Sequence, residues 1–314
     1  MPKILREYVQ GEEGSECLND TRFERAQIWE FENVMDYLDN AGAYLCEGGQ
    51  PWSDQREGSR ESITGDKHFT GTRSMEEALK LVRYGWEEGL ERINKFKTAL
   101  ENALTGLIPI LETHFDVVGD WLDVGRFVTG EPEVFGELVD SGLRREATTP
   151  RIINVVANIA ASASIDTETI MTRGAAMCAL VDLLEKRNYR VQIDLVHAVE
   201  GHRTDKRWLW ESRTRVKEAG EMLQLDKLAF LMAHPSSLRR LGFAMQEHSN
   251  DEWRTVMGVS DKGYGYGMPC ETFNQGDLYM PQILSSRDWD TDVAIAWIKA
   301  MLKKQGITSE YEGI

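Results

Sequence analysis

Apolar residues recur at three- and four-residue steps between positions 75 and 104 of the chain. The series consists of Leu79, Val82, Trp86, Leu90, Ile93, Phe96, Leu100 and Leu104. This spacing places them on one face of a helix. Ser74-Met75-Glu76-Glu77 fits the S-x-x-E capping box, in which the Ser oxygen and the Glu side chain satisfy free N–H groups at a helix start. We therefore predict a helix that begins here and packs against a large neighbour.

The pattern changes after Pro150, where residues 151–157 form a short, continuous β-branched run. Such a run is typical of a central strand covered on both faces. A polar loop follows, and then a helix that we expect to begin at Asp166 or Thr167 and to end at Asn188. A second strand over 189–199 completes a β-α-β unit, which predicts a parallel pair with a right-handed crossover. The helix is expected to cover the sheet through Ile170, Gly174, Met177, Val181 and Leu184.

Gly174 lacks a side chain at one of these covered positions, so we expect a close approach between helix and strand there. The rest of the pattern predicts, in order, an antiparallel edge strand at 208–216, a helix at 225–232, a helical start at Pro235, a long loop at 251–275, a strand at 278–284 and a helix at 293–302.

Acidic residues dominate the first fifty positions, which hold eleven Asp and Glu against four Lys and Arg. We expect a loosely packed arm there, with one helix around 29–38, followed by an exposed linker over 48–66. Residues 121–135 are typical of a short, irregular helical connection. The chain is accordingly divided into an acidic arm and loop (1–72), a helical region (73–144) and an α/β domain (145–314).

The formal net charge of −16 over 314 residues opposes general binding to nucleic-acid phosphates. A nucleic-acid partner would need a local basic patch, for which Arg144-Arg145 and Arg239-Arg240 are the candidates. Four scattered cysteines without a C-x-x-C pair predict reduced thiols. The chain has no apolar run of signal or membrane-spanning type. We expect a cytoplasmic protein with no membrane partner.

The predicted element order after residue 145 resembles that of von Willebrand factor A domains, which are Rossmann-like. This resemblance implies a mostly parallel sheet flanked by helices, here with a helical N-terminal annex. Two segments, Arg173-Gly174-Ala175-Ala176 and Leu238-Arg239-Arg240-Leu241-Gly242-Phe243, also look like a group of bacteriophage-encoded proteins without an assigned activity. So does Phe69-Thr70-Gly71-Thr72. That likeness implies phage origin, hence the cytoplasm of an infected host, with virion association left open.

An intact metal site of the A-domain type has the motif D-x-S-x-S after the first strand, because a carboxylate and two hydroxyls bind a magnesium-like ion. The matching positions here are Asn158, Ala160 and Ser162. The Asn removes the anionic ligand and the Ala removes a hydroxyl, so we expect no cofactor and at most weak Mg²⁺ binding. Ser164 and Asp166 offer substitute oxygens, although Asp166 is explained more simply as a helix cap. A tight strand-to-helix loop is the favoured interpretation.

Other candidate groups are less specific. His197, Glu200 and His202 lack a recognised zinc spacing, and His234 before Pro235 is typical of a structural histidine. Gly263-Tyr264-Gly265-Tyr266-Gly267 is equally consistent with a contact surface and with a plain loop.

Three functions remain open from the sequence. The leading hypothesis is a non-enzymatic protein-binding or assembly protein, whose partner is another protein or a second copy. The second is a metal-dependent enzyme using the loop from Asn158 to Asp166, with Asp194 or Asp277 supplied from neighbouring strand ends and His234, Arg239 and Arg240 as further contributors. The third, an adaptor of an AAA+ ATPase, rests on analogy with other A-domain proteins.

Overall fold

The computed structural model describes residues 4–9, 22–46, 61–103, 111–140, 146–147, 151–187, 189–203, 205–261, 263–270, 276–285 and 291–304. Within these ranges the chain forms an α/β fold with one large mixed sheet, helices packed on it, and a second, smaller sheet. The strands are β1 Ile4–Val9, β2 Phe23–Phe31, β3 Leu111–Asp116, β4 Trp121–Leu122, β5 Phe135–Asp140, β6 Glu146–Ala147, β7 Ile152–Asn158, β8 Arg190–Arg203, β9 Lys206–Lys217, β10 Tyr266–Gly267 and β11 Leu278–Met280.

The α-helices are α1 Val34–Cys46, α2 Glu61–Thr64, α3 Lys67–Thr70, α4 Met75–Tyr84, α5 Glu87–Ala103, α6 Val124–Thr129, α7 Thr167–Lys186, α8 Leu225–Ala233, α9 Phe243–Glu247, α10 Asp251–Met257 and α11 Thr291–Lys304. A π-helix spans Ser237–Gly242 and a 3-10 turn spans Val259–Asp261. None of the helices in the described ranges is long and apolar enough to cross a membrane.

The large sheet has the strand order β1-β2-β9-β8-β7-β11, with β10 beside β8. The pairs β2/β9, β7/β8 and β7/β11 are parallel, whereas β1/β2, β8/β9 and β8/β10 are antiparallel. The predicted β-α-β unit is confirmed as β7, α7 and β8, with Asp166 as the cap of α7. Both faces of the central strand are covered, since Val155 and Val156 are each at most 2% exposed. The predicted α/β class is therefore confirmed.

The main hydrophobic core joins the helices to one face of the large sheet. It includes Val155 of β7, Leu195 of β8 and Trp210 of β9 together with the buried faces of α5, α7 and α8. The opposite face carries two small clusters, around Leu209 and around Val196, to which no residue of a described helix belongs. A doubly wound sheet has helices on both faces. The described part of this chain therefore differs from that arrangement.

The expectations for the N-terminal part are corrected by the position of β2. Residues 23–31 form a strand with fully buried Phe23 and Ala26, and the helix begins only at Val34. Strand β2 pairs with β9, so β9 is an inner strand of the sheet and the prediction of an edge strand was wrong. The acidic arm thus contributes strands β1 and β2 to the sheet, and it also contains α1. Residues 48–60 of the predicted linker lie outside the described ranges.

The predicted long helix after Ser74 is two helices. The hydroxyl of Ser74 accepts from the N–H of Glu77 as expected, but α4 ends at Gly85, whose φ of 100° is in the region that favours glycine. The packing of this turn on α8 also favours glycine. A Cβ at position 85 would lie 2.1 Å from a carboxylate oxygen of Asp226. The chain therefore turns here and restarts as α5.

Two further predictions were wrong in part. Residues 111–140 and 146–147 contain a small sheet, β3-β5-β4 with β6 beside β5, and the predicted helical connection contributes only α6 to this region. Residues 251–275, predicted as a long loop, contain α10, whose Trp253 is fully buried. Strand β11 and helices α8 and α11 lie where they were expected. Cys178 is a buried thiol without a disulfide partner, and Cys270 is buried as well.

Gly174 makes a close contact, but with a different partner from the one predicted. A Cβ there would lie 2.2 Å from the carbonyl oxygen of Met232 and 2.3 Å from the Cα of Ala233, both on α8. The glycine therefore permits two helices to approach each other, not a helix and a strand. The rest of the covered face of α7 is buried as expected, with Val181 at 0% exposure.

Candidate functional site

A cleft of about 920 Å³ opens beyond the carboxyl end of β7. Ligands of open α/β sheets favour this edge, because the loops that follow parallel strands meet there. One side of the cleft is the loop Ala161-Ser162-Ala163, and another is the extension of β8 past the end of β7. A second depression of about 1040 Å³ lies between α5 and the start of α7. The cleft at the strand ends is the candidate site.

Asn158, the position matched to the Asp of the D-x-S-x-S motif, is turned into the protein. Its side chain is fully buried, and its amide nitrogen donates to the carbonyl oxygen of Met268 at 2.7 Å and to the hydroxyl of Tyr279 at 3.2 Å. Its amide oxygen accepts from the N–H of Ala160 at 3.0 Å. Asn158 therefore holds the loop after β7 against Tyr279 of β11 and against Met268. Its amide oxygen is occupied by the backbone of its own loop.

The other oxygens of the loop differ in their surroundings. Ser162 lines the cleft, and its hydroxyl lies 3.2 Å from that of Ser164, which is exposed and outside the cleft lining. Asp166 caps α7 by accepting from the N–H and the hydroxyl of Thr169 at 2.7 and 3.0 Å. The Thr169 N–H bond holds the pKa of Asp166 below its usual value. Asp166 therefore acts as the predicted helix cap, and Ser162 is the loop hydroxyl that faces the cleft.

The two carboxylates proposed as partners of the loop lie elsewhere. Asp277 accepts from the N–H of Asn154 at 2.8 Å, four residues before the end of β7, which is about 13 Å along a strand. Asp194, at 3% exposure, forms ion pairs with Arg213 and Arg215 of β9. The predicted constellation of these carboxylates with the loop is therefore not formed. In the described ranges no group of three or more His, Cys, Asp and Glu side chains could hold a metal ion.

Aromatic side chains form the wall of the cleft that faces the loop. Phe243 and Tyr264 stack with ring centroids 3.7 Å apart, and Phe69 lies 6.4 Å from Phe243. The hydroxyl of Tyr264 donates to Glu247 at 2.7 Å, and the same carboxylate accepts from the hydroxyl of Ser62. Burial next to this carboxylate raises the pKa of Tyr264. The glycine-rich aromatic loop thus contributes one ring that is fixed in the wall.

The adjacent Tyr266 is 68% exposed and stands at the mouth of the cleft, 5.7 Å from the ring of His202. Glu200 accepts from Arg207 at 2.6 Å and lies 3.6 Å from His202. His197 and His202 are five residues apart on one strand, so their side chains are on opposite faces of the sheet. These groups therefore do not converge on one zinc site.

Arg239 and Arg240 are 2% and 0% exposed, so this pair forms no basic surface patch. Arg239 donates to the carbonyl oxygens of Ile165 and Phe69, and its guanidinium lies 4.1 Å from the Phe69 ring. Burial lowers the pKa of Arg239 to about 10. The side chain thereby joins the loop after β7 to the segment that contains α3. The other predicted basic pair, Arg144-Arg145, lies outside the described ranges.

Two histidines next to the cleft walls are buried. His234 accepts from the N–H of Ser236 at 3.1 Å and stacks on Phe230, and burial lowers its pKa to about 3. His197 lines the cleft, and burial lowers its pKa to about 3 as well. Among the described residues, Nδ1 of His197 has no hydrogen-bond partner. Both histidines are neutral at pH 7.

No sequence pattern indicated the contacts that close this wall. The bonds from Ser62 to Glu247 and from Tyr264 to Glu247 connect positions up to 185 residues apart. Arg173 is similar, since it is 1% exposed and donates to the carbonyl oxygen of Pro281 at the end of β11. An arginine next to the small and apolar residues Gly174, Ala175 and Ala176 was the available signal.

Comparison with known protein families shows that residues 15–309 match the family described as Domain of unknown function (DUF7192). The match covers most of the chain, so the chain belongs to this family. No curated protein matches the chain, and no solved structure matches it.

Proposed function

We propose that this protein is a non-enzymatic binding protein that holds a segment of a partner protein in the cleft beyond β7. The observation that carries the proposal is the composition of the cleft. A fixed aromatic wall of Phe69, Phe243 and Tyr264 faces a small-residue loop, and the exposed ring of Tyr266 stands at the mouth. Aromatic rings that are already fixed bind at a low cost in conformational entropy.

The polar groups around the cleft support binding more than catalysis. Arg239 donates to backbone carbonyls, Asp166 caps a helix, and Glu200 is paired with Arg207. A nucleophile would need an adjacent base within hydrogen-bond reach. The hydroxyl of Ser162 lies next to the hydroxyl of Ser164, which is not such a base. The available chemistry is therefore hydrogen bonding and ring contact, which suits a peptide.

The strand order β9-β8-β7-β11, with β9 antiparallel to β8, agrees with the proposed likeness to von Willebrand A domains. In this interpretation the loop from Asn158 to Asp166 keeps the position of a metal site and has exchanged its ligands for contact residues. An assembly role in a phage-infected cell is part of the same proposal.

The test compares two neighbouring substitutions in one loop. Ala163 lines the cleft and is exposed, whereas the next residue, Ser164, is exposed but lies outside the lining. Peptides selected from a random library on the full chain are titrated against Ala163→Trp and Ser164→Trp. We expect at least a tenfold loss of affinity for Ala163→Trp alone. Equal affinities for both variants would overturn the proposal.

A metal titration separates this function from a metal-dependent enzyme. Calorimetry with Mg²⁺ and Mn²⁺ on the full chain is expected to give no site-specific heat. A stoichiometric heat that disappears in Ser162→Ala would favour the enzyme instead.

A further inference from the structure

The region Leu111–Asp140, here called the small-sheet module, has an apolar surface that nothing in the described ranges covers. Helix α6 has no buried residue, and Val124, Phe127 and Val128 are 64%, 61% and 76% exposed. Their i, i+3, i+4 spacing places them on one face of the helix. Val117 and Val118, in the turn after β3, are 61% and 75% exposed. These five side chains are called the apolar ridge.

Both parts of the apolar ridge lie at the same end of the small sheet. Asp116, just before Val117, pairs with Phe135 at the start of β5. The N–H of Asp123, just before α6, donates at 2.8 Å to the carbonyl oxygen of Val134, the neighbour of Phe135. The turn and the helix therefore project from one end of β5.

Helix α6, which carries three of the five side chains of the apolar ridge, is capped at both ends. Asp123 accepts from the N–H of Arg126 at 3.0 Å. Gly130, with φ of 77°, ends the helix, and its N–H donates to the carbonyl oxygens of Arg126 and Phe127. Short helices in water draw most of their stability from an apolar face packed on a neighbour. Here the ends are capped while the apolar face is open. This arrangement presents large apolar side chains on a preformed helix.

The charge of the module identifies the kind of partner. Residues 113–137 contain one Arg and six Asp and Glu, namely Asp116, Asp120, Asp123, Glu131, Glu133 and Glu137. The one arginine, Arg126, pairs with Glu131 at 2.9 Å and lies 3.9 Å from the Phe115 ring. An acidic border of this strength repels a second copy, an anionic membrane and nucleic acid. It attracts a surface with Lys and Arg.

We propose that the apolar ridge docks onto a partner protein whose apolar contact surface is bordered by Lys and Arg. The apolar side chains supply the contact, and the acidic border supplies the orientation and the attraction at a distance. Five exposed side chains make a small interface, of the size found in transient complexes. The site is separate from the cleft beyond β7, and neither proposal depends on the other.

The test uses two synthetic amphipathic 18-residue helices with the same leucine face, one with Lys and one with Glu on the polar face. The full chain is titrated with each by fluorescence anisotropy, together with Phe127→Ser, Met222→Ser and Ala163→Trp. Met222 is 87% exposed and lies outside the module. Circular dichroism checks that the variants are folded.

We expect the Lys peptide to bind more tightly than the Glu peptide, and Phe127→Ser to weaken it about tenfold. Met222→Ser and Ala163→Trp are expected to bind like the parent chain, which keeps this result independent of the cleft. Equal binding of both peptides, or an equal loss in Met222→Ser, would overturn the proposal. So would a dimer that Phe127→Ser dissociates, or binding to phosphatidylserine vesicles that Phe127→Ser abolishes.

Discussion

The guanidinium of Arg240 binds Thr72 twice, through Nε to the hydroxyl at 2.7 Å and through Nη2 to the carbonyl oxygen at 2.8 Å. The remaining N–H groups donate to the carbonyl oxygens of Ser62, Ile63 and Gly65. All five donors of this side chain are thus used, and their acceptors lie in the segment that carries α2 and α3. Arg240 is therefore one of the residues that fix this segment beside the cleft, together with Arg239 and Glu247.

Arg240→Lys is expected to destabilise the protein by about 2–4 kcal/mol, because three donors replace five and buried carbonyl groups lose their partners. The measurement is the urea midpoint of the full chain. Arg83→Lys is the matched control, since the Arg83 side chain is 44% exposed and its contact with Asp39 is 3.8 Å long. An equal shift in both variants would show that the guanidinium of Arg240 has no special role.

Val181→Asp tests the packing of α7 on the sheet. Val181 is 0% exposed, so the substitution would bury a carboxylate without a partner and cost several kcal/mol. Val128→Asp, at a position that is 76% exposed, is expected to change the urea midpoint little. An unchanged midpoint in Val181→Asp would contradict the position of this helix.

Local patterns predicted local structure well in this chain. The β-branched run before Asn158 and the cap at Asp166 are properties of neighbouring residues, and both were predicted. The pairing of β2 with β9 joins residues more than 180 positions apart, so no local pattern shows it. Because the sequence pattern does not show that pairing, it predicts an edge strand at β9.

The candidate site was predicted in position but not in content. The loop after β7 lies at the cleft because the carboxyl ends of parallel strands meet there. The roles of Asp194 and Asp277 were misjudged because the sequence does not show which partners compensate a carboxylate. Arg213, Arg215 and the backbone of Asn154 do so here. The same reason hid the structural roles of Arg239 and Arg240.

The contact between Gly174 and α8 predicts that Gly174→Ala destabilises the protein, although alanine favours a helix by about 1 kcal/mol over glycine. The added Cβ would lie 2.2 Å from the carbonyl oxygen of Met232, so α7 and α8 must separate. Gly220→Ala is the control, because no atom lies within 4 Å of the Cβ position there. A thermal midpoint of Gly174→Ala at or above that of the parent would show that the two helices are not in close contact.

The buried histidines predict an acid-sensitive fold. Their pKa of about 3 in the folded protein is below the value of 6.5 in an unfolded chain. The unfolded state therefore binds protons first, so this stability is complete above pH 6.5 and falls between pH 6.5 and 3. The slope is at most about 1.4 kcal/mol per pH unit for each histidine.

Urea midpoints of the parent and His197→Phe, measured from pH 7 to 4, isolate the contribution of one buried histidine. His197→Phe is expected to lower the slope of the urea midpoint against pH. Parallel curves for the parent and His197→Phe would contradict the burial of His197.

Asn158→Asp restores the carboxylate of the D-x-S-x-S motif, and we expect it not to restore a metal site. The nitrogen of Asn158 donates to the carbonyl oxygen of Met268 at 2.7 Å, and a carboxylate oxygen in that place would face another oxygen. A carboxylate buried against a carbonyl oxygen costs several kcal/mol, so the urea midpoint should fall. Ser162→Ala, which alters the same loop at a half-buried hydroxyl, is the control and should leave it nearly unchanged. Stoichiometric Mg²⁺ heat in Asn158→Asp, with stability recovered by the metal, would instead show that the loop keeps the geometry of a metal site.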